Sequence, residues 1–196
     1  RGLGDVYKRQ PLKIVGVILD IDRAKKSEQQ LTTRASFDAL TELYNRETIE
    51  SQIDNEITLS EARKSEMAVL FIDVDDFKHY NDQYSHATGD QVLKFVARTI
   101  KGTVNEFGFA GRYGGDEFIA CIRNAEINDP TRAAQDIISK LEEGFECDGV
   151  HLTVSVSIGI SMIKDDYNTR VEYIIGKADD AMYSVKKNGK SNYAFI

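Results

Sequence analysis

An α+β fold is predicted for this chain: a ferredoxin-like, palm-type central sheet with a βαββαβ core flanked by helices. Three observations predict it. The run MAVLFI at 67–72 is continuously apolar, as a strand buried on both faces should be. Two shorter apolar runs, 107–113 and 117–123, enclose Gly114, Gly115 and Asp116 in the manner of a hairpin. Helical stripes precede, separate and follow these strands, which suits one sheet covered on both faces by helices.

Taken in order, residues 1–10 share no periodicity with the rest of the chain and read as a non-native tag or sequence artefact, outside the fold argument. LKIVGVILDI at 12–21 has the β-branched content of a strand, and the charged stretch 22–34 the propensity of a solvated linker helix. Ile49, Ile53, Ile57 and Leu59 recur near helical spacing over 46–65. Val92, Leu93, Val96, Ala97 and Ile100 define a second helical stripe before the hairpin. A helix over 131–143, a strand over 151–162, a helix over 171–187 and a closing strand over 192–196 complete the order.

Composition narrows the function classes. The chain has 196 residues, 41% of them hydrophobic and 29% charged, with only two prolines, as expected of a folded globular protein. A net charge of −7 argues against a broad electrostatic grip on nucleic acid or anionic lipid, while leaving room for a small nucleotide bound through metal. Cys121 and Cys147 are too few for a disulfide scaffold and lack zinc-site spacing, so both read as reduced, partly buried thiols. No apolar run nears the roughly 18 residues of a membrane span, and a cytoplasmic location is expected.

The chemistry concentrates at the hairpin tip, where Asp116 and Glu117 directly follow Gly114 and Gly115. Glycine there would permit positive φ and leave room for a ligand against the backbone. A second acid, Asp73, stands where the strand from Met67 leaves the core. Asp73 and Asp116, brought together by neighbouring strands, would offer hard oxygen ligands to a Mg²⁺ shared with nucleotide phosphates. Asp75 and Asp76 read instead as solvated acids capping the next helix.

These residues resemble the GGDEF family of diguanylate cyclases. GGDEF stands intact at 114–118 after Arg112 and Tyr113, and DVDDFKHYNDQYSHATGD at 73–90, FDALTELYNR at 37–46, SVSIGIS at 155–161 and ADDAMYSVKKNGKSN at 178–192 keep the family's order. The resemblance spans about 37–196. The preceding strand and linker, 11–36, resemble the tail of a PAS sensor domain, which would make this chain the output end of a longer bacterial signalling protein.

The resemblance implies an enzyme that condenses two GTP molecules into cyclic di-GMP with release of pyrophosphate, working as a homodimer. It implies Mg²⁺, with Mn²⁺ able to substitute, held by Asp73, Asp116, Glu117 and the backbone carbonyl of Val74. Asp116 takes the part of general base or metal-positioning ligand, with Glu117 the second choice for base, and Lys78 stabilises transition-state charge. Lys186 and Lys190 fall where the family holds the outer phosphates, although Arg is more usual at the latter position and Lys lacks its planar fork. Asn81 and Asp90 fall on the guanine readers, whose donor demands disfavour adenine. His86 lies in the same segment, as substrate contact or as a capping or packing residue. Gly114 and Gly115 would lie against the substrate.

Two departures from the family pattern stand out. Ser85 replaces a more usual glycine, and the Arg-x-x-Asp pattern of the family's product-inhibition site is here Asn105 and Gly108, which supply neither guanidinium nor carboxylate. Feedback inhibition through that site is therefore not expected. Two other readings compete: a catalytically silent GGDEF domain that binds GTP and regulates a partner, and an unrelated palm-type nucleotidyltransferase. The first of these usually comes with a damaged signature, which this chain does not have.

Overall fold

The computed structural model describes residues 36–164 and 169–196. The elements expected over 12–34 and the stretch 1–10 lie outside the described residues. In chain order the described elements are α1 (Arg46–Arg63), β1 (Met67–Val74), α2 (Phe77–Gln83), α3 (His86–Val104), β2 (Gly108–Arg112) and β3 (Glu117–Arg123). They continue with α4 (Pro130–Glu143), β4 (Phe145–Cys147), β5 (Val150–Leu152), β6 (Val156–Ile163), α5 (Val171–Lys187) and β7 (Asn192–Phe195).

All eight residues of β1 are buried, because the strand is central and both of its faces are covered. The main sheet runs β2-β3-β1-β6-β7. β1 pairs antiparallel with β3 and with β6, β2 pairs antiparallel with β3, and β7 joins β6 in parallel. The first four strands in that order are the βαββαβ core expected from the sequence, and β7 extends it.

Strand alternation sorts the core into two layers. Ala68, Leu70, Ile72 and Val74 face a cluster built with Val92 and Val96 of α3 and Ile137 and Leu141 of α4. Met67, Val69 and Phe71 face the other, built with Ile49 and Ile53 of α1 and Ile174 and Ala178 of α5. Gly159 on β6 is what lets α5 lie so close: a Cβ there would strike the backbone at Ala178 and Met182. That contact carries the last turn of α5 to the acidic end of β1.

The structure corrects two elements. The strand expected over 151–162 is broken, since β5 turns back on β4 as a separate two-stranded ribbon and β6 begins only at Val156. Asp148 and Gly149, at φ 50° and 79°, make the tight turn of that ribbon. Between the two strands, Ser155 turns its carbonyl to the Asp75 N–H at 2.9 Å. The short helix α2 is also separate from α3. Ser85, with extended φ of −176°, caps α3 by accepting the Thr88 N–H at 3.1 Å, so its replacement of glycine introduces no strain.

Candidate active site

By the alternation of β1, Asp73 projects on the side of α1 and α5, and it is 5% exposed. Glu117 stands directly opposite it on β3, and the Val74 N–H donates to the Asp116 carbonyl at 3.1 Å. Adjacent strand ends thus bring together the acids of the 73–90 and 114–118 motifs. Lys186, in the last turn of α5, places Nζ 2.6 Å from Asp73 Oδ1. This close ion pair is the one polar partner of buried Oδ1 among the described residues.

The electrostatics derive from this crowding. Burial pushes the Asp73 carboxyl up to about 6; Lys186 opposes the shift, while Asp116 and Glu117 add to it. Burial also raises Glu117, with Asp116 and Asp179 reinforcing and Lys186 opposing. The pocket of carboxylates therefore holds more negative charge than its own cations offset.

A buried oxygen with a single cationic partner, among hard oxygen donors, fits a divalent cation. Among the described residues no three His, Cys, Asp or Glu side chains lie close enough to hold a metal by themselves.

The glycine turn is built differently from the expectation. Neither Gly114 nor Gly115 is among the positive-φ residues. At Gly114 a Cβ would meet the Glu117 carboxylate, which would have to shift to admit it, whereas Gly115 faces open space. Tyr113 and Gly114 donate their N–H groups to the Glu117 carbonyl at 2.8 and 3.2 Å. Arg112 then grips the tip, with Nε and Nη2 at 3.1 and 2.6 Å from the Gly115 carbonyl and Nη1 at 3.2 Å from Asp38. Asp38 is itself fixed by the Thr41 N–H and hydroxyl at 2.9 and 2.6 Å. Burial tends to raise the Asp38 carboxyl, but the Thr41 hydrogen bonds and Arg112 prevail and hold it below its usual range. Arg112 and Asp38 lie within motifs visible in the sequence, but their spacing gives neither a role; only the fold reveals their contact across 74 positions.

Asp75 and Asp76 also depart from expectation. Asp75 is not solvated: it is 4% exposed and accepts from the Ser155 and Ser157 hydroxyls at 2.5 and 2.7 Å. Asp76 sits at the N-cap position of α2 with φ 53°, yet its side chain makes no capping bond. Instead both its oxygens lie 2.8 Å from Lys190 Nζ. Lys190 pulls the Asp76 carboxyl down, and the same contact raises the Lys190 ammonium.

The remaining residues lie on α2 and the start of α3. Lys78 and His86 are exposed, and His86 is the first residue of α3, so neither capping nor packing occupies it; Ser85 does the capping. Asn81 presses its amide against Gly89, where a Cβ would collide with it, and so stands next to exposed Asp90. A separate cavity of about 250 Å³ adjoins Asn105 and Gly108, with Phe37, Tyr44, Lys101 and Arg123 also in its wall. At Gly108 a side chain would meet the Cys121 carbonyl.

Comparison with known proteins agrees with this geometry. The signaling protein YkoW of Bacillus subtilis is 34% identical over 97% of this chain and 24% of its own length. Diguanylate cyclase A of Treponema denticola is 38% identical over 69% of this chain and 36% of its own. The chain thus spans about a quarter to a third of the curated relatives it matches. Among solved structures, the GGDEF domain of PA1120 from Pseudomonas aeruginosa superposes with a TM-score of 0.76 at 33% identity, covering 81% of this chain and 93% of that one. The coiled coil and GGDEF domain of DgcB from Caulobacter crescentus, in complex with c-di-GMP, shares the fold with a TM-score of 0.87 at 23% identity, covering 94% and 98%. Residues 35–192 match the family described as "Diguanylate cyclase, GGDEF domain". With that match over most of its length and relatives at more than 30% identity, the chain belongs to the GGDEF domain family of diguanylate cyclases.

Proposed function

We propose that this chain is an active diguanylate cyclase domain that joins two GTP molecules into cyclic di-GMP and releases pyrophosphate. The observation that carries the reading is the pairing of Asp73 with Glu117 across β1 and β3, beside the Asp116 carbonyl and an open Gly115. An under-neutralised acidic site at the mouth of a glycine turn suits a triphosphate arriving with its cation. Diguanylate cyclases of this family use divalent metal ions. Here Asp73, the Val74 carbonyl, Asp116 and Glu117 would hold Mg²⁺, or Mn²⁺ in its place, only together with substrate phosphates, since the carboxylates form no cage by themselves; the bound ion would screen the phosphates and lower the pKa of an oxygen it contacts.

The reaction forms a bond from the 3′-oxygen of one GTP to the α-phosphorus of the other and breaks the bond to the bridging oxygen of pyrophosphate. The hydroxyl proton passes to a carboxylate at the strand ends. Asp116 accepts it, with Glu117 the second candidate; burial and Asp116 raise the Glu117 carboxyl above its ordinary value. Lys186 and Lys190 exchange their present carboxylate partners for the outer phosphates, and Lys78 meets charge developing in the transition state. Asn81 and Asp90, adjacent through Gly89, read the guanine edge, with exposed His86 nearby.

Two such domains must face each other, one GTP apiece, so catalysis requires a homodimer. The segment 11–36, as the end of an upstream PAS-like sensor and its linker, would set that orientation in a cytoplasmic signalling protein. No helix among the described residues is long and apolar enough to cross a membrane.

The test is incubation of the purified chain with GTP and Mg²⁺ at high protein concentration, then chromatography of the nucleotides, alongside Asp116→Ala. Cyclic di-GMP from the parent alone is the expected result. GTP bound but never converted would instead favour a regulatory nucleotide-binding module.

A further inference from the structure

Asp75 takes no part in the reaction, yet it is held more firmly than the acids that do. Its two oxygens accept from Ser155 Oγ at 2.5 Å, Ser157 Oγ at 2.7 Å and the Ser191 N–H at 3.2 Å. A carboxylate 4% exposed persists in a fold only where such donors replace its lost hydration. Two of the three donors belong to the start of β6 and the residue just before it. The third comes from far along the chain.

That third donor sits in an unusual turn. Gly189, Lys190 and Ser191 come after α5 with φ of 113°, 63° and 44°. Two consecutive side-chain-bearing residues in the left-handed region are held there only by surroundings that fix them. On one side the Lys190 N–H donates to the Val185 carbonyl at 3.1 Å; on the other the Ser191 N–H donates to Asp75, while Ser191 Oγ reaches Glu142 at 2.8 Å. Lys190, between these anchors, points its ammonium at Asp76 over the end of β1.

We infer that Asp75 is a positioning residue that clamps the 189–191 turn to the strand ends and so fixes where Lys190 presents its charge to the outer phosphates of the nucleotide. The inference rests on the phosphate-binding role proposed for Lys190. A lysine ammonium on a four-carbon stem brings little directional order of its own, in contrast to the guanidinium fork more usual in the family at this position. Backbone clamping supplies the order that the side chain lacks.

The experiment measures equilibrium binding of Mg²⁺ with guanosine 5′-(α,β-methylene)triphosphate, which cannot release pyrophosphate, and separately of GMP, to the whole chain. The parent binds the triphosphate analogue more tightly than GMP. Asp75→Asn weakens the analogue by about tenfold and GMP by less than about twofold, because only the outer phosphates lose an ordered cation. Lys190→Met costs a similar factor in the parent and almost nothing further in the Asp75→Asn background.

Equal weakening of both ligands, or additive effects of Asp75→Asn and Lys190→Met, overturns the clamp. If Asp75→Asn fails to fold by circular dichroism, Ser155→Ala, which removes one donor, takes its place with the same expected pattern. A parent chain that binds analogue and GMP equally, with Lys190→Met without effect, overturns the phosphate role of Lys190 itself. The clamp falls with it, and that outcome is distinct from failure of the clamp alone.

Discussion

Asp73 and Asp75 stand at the same strand end and are almost equally buried, at 5% and 4% exposure, but their surroundings are opposite. Asp75 accepts from two hydroxyls and a backbone N–H, while Asp73 has one ammonium for partner and faces Glu117. Burial alone therefore does not distinguish a scaffold acid from a reactive one. Donor count does: a satisfied carboxylate is fixed, and an unsatisfied one stays available to a cation that arrives with substrate.

The largest effect expected from breaking this contrast is on turnover. Asp73→Asn removes a metal-binding carboxylate and should lower cyclic di-GMP formation by ~10²-fold or more, a loss of the size seen when a charge-stabilising group leaves an active site. Chromatographic assay under saturating GTP and Mg²⁺ measures it. Retained turnover would place the metal elsewhere.

Stability should move the other way. The folded-state pKa of Asp73, about 6, lies above its ordinary 3.8. The fold thus favours the protonated form, so the stabilisation from this group is fully present below the ordinary value and lost as pH rises through about 6. For the metal-free chain that loss is about 2–3 kcal/mol by pH 7.5. Asp73→Asn should abolish this dependence and raise Tm at pH 7.5. Asp75→Asn should lower Tm at every pH, by ~3 kcal/mol in unfolding free energy, because it disrupts a buried, fully bonded carboxylate. Mg²⁺ added with guanosine 5′-(α,β-methylene)triphosphate at pH 7.5 should stabilise the parent more than Asp73→Asn. Denaturant titrations with and without Mg²⁺ and the analogue check all three, and a destabilised Asp73→Asn would erase the distinction between the two acids.

A smaller effect is expected at Arg112, which holds the signature turn rather than the substrate. Arg112→Ala frees the Gly115 carbonyl and unpairs Asp38, and should reduce kcat by roughly tenfold through misplacement of Asp116 and Glu117, with the KM for GTP nearly unchanged. A rise in KM with unchanged kcat would mean that the arginine acts on binding instead.

How far the sequence discloses these roles depends on the range of the interactions. β1 was legible because a continuously apolar strand has few alternatives, and Asp73 and Asp116 because their strands end in acids. The break before β6 was not legible: the apolar pattern of 151–162 continues through it, and the chain is turned aside by long-range bonds, Tyr80 to the Thr153 carbonyl, Val154 to the Leu141 carbonyl and Ser155 with Asp75. Asp75 looked like a capping acid because its three donors are 80, 82 and 116 residues away. The glycines illustrate the same limit. Their presence at the tip was informative, but neither has a left-handed backbone, and Gly114 instead leaves the Glu117 carboxylate its present position.

The smallest expected response is to product, and it sharpens the comparison from the far side of the domain. The cavity beside α3 and β2 has cationic and aromatic walls in Lys101, Arg123, Phe37 and Tyr44. Arg123, however, is committed to Glu56 at 3.0 Å and lies over the Phe109 ring at 5.0 Å. Asn105 is neutral, and at Gly108 any side chain would be driven into the backbone of β3. A cyclic dinucleotide arriving there would meet a guanidinium already paired with Glu56 and, as the carboxylate in the wall, Glu42 rather than a side chain at Gly108. Calorimetric titration of the chain with cyclic di-GMP should therefore give no saturable high-affinity heat, and adding the same nucleotide to the cyclase assay should leave the initial rate unchanged. Inhibition that persists in an Arg123→Ala variant would show that product is sensed at another surface, whereas inhibition lost with Arg123 would mean that the Glu56 pair opens to serve it.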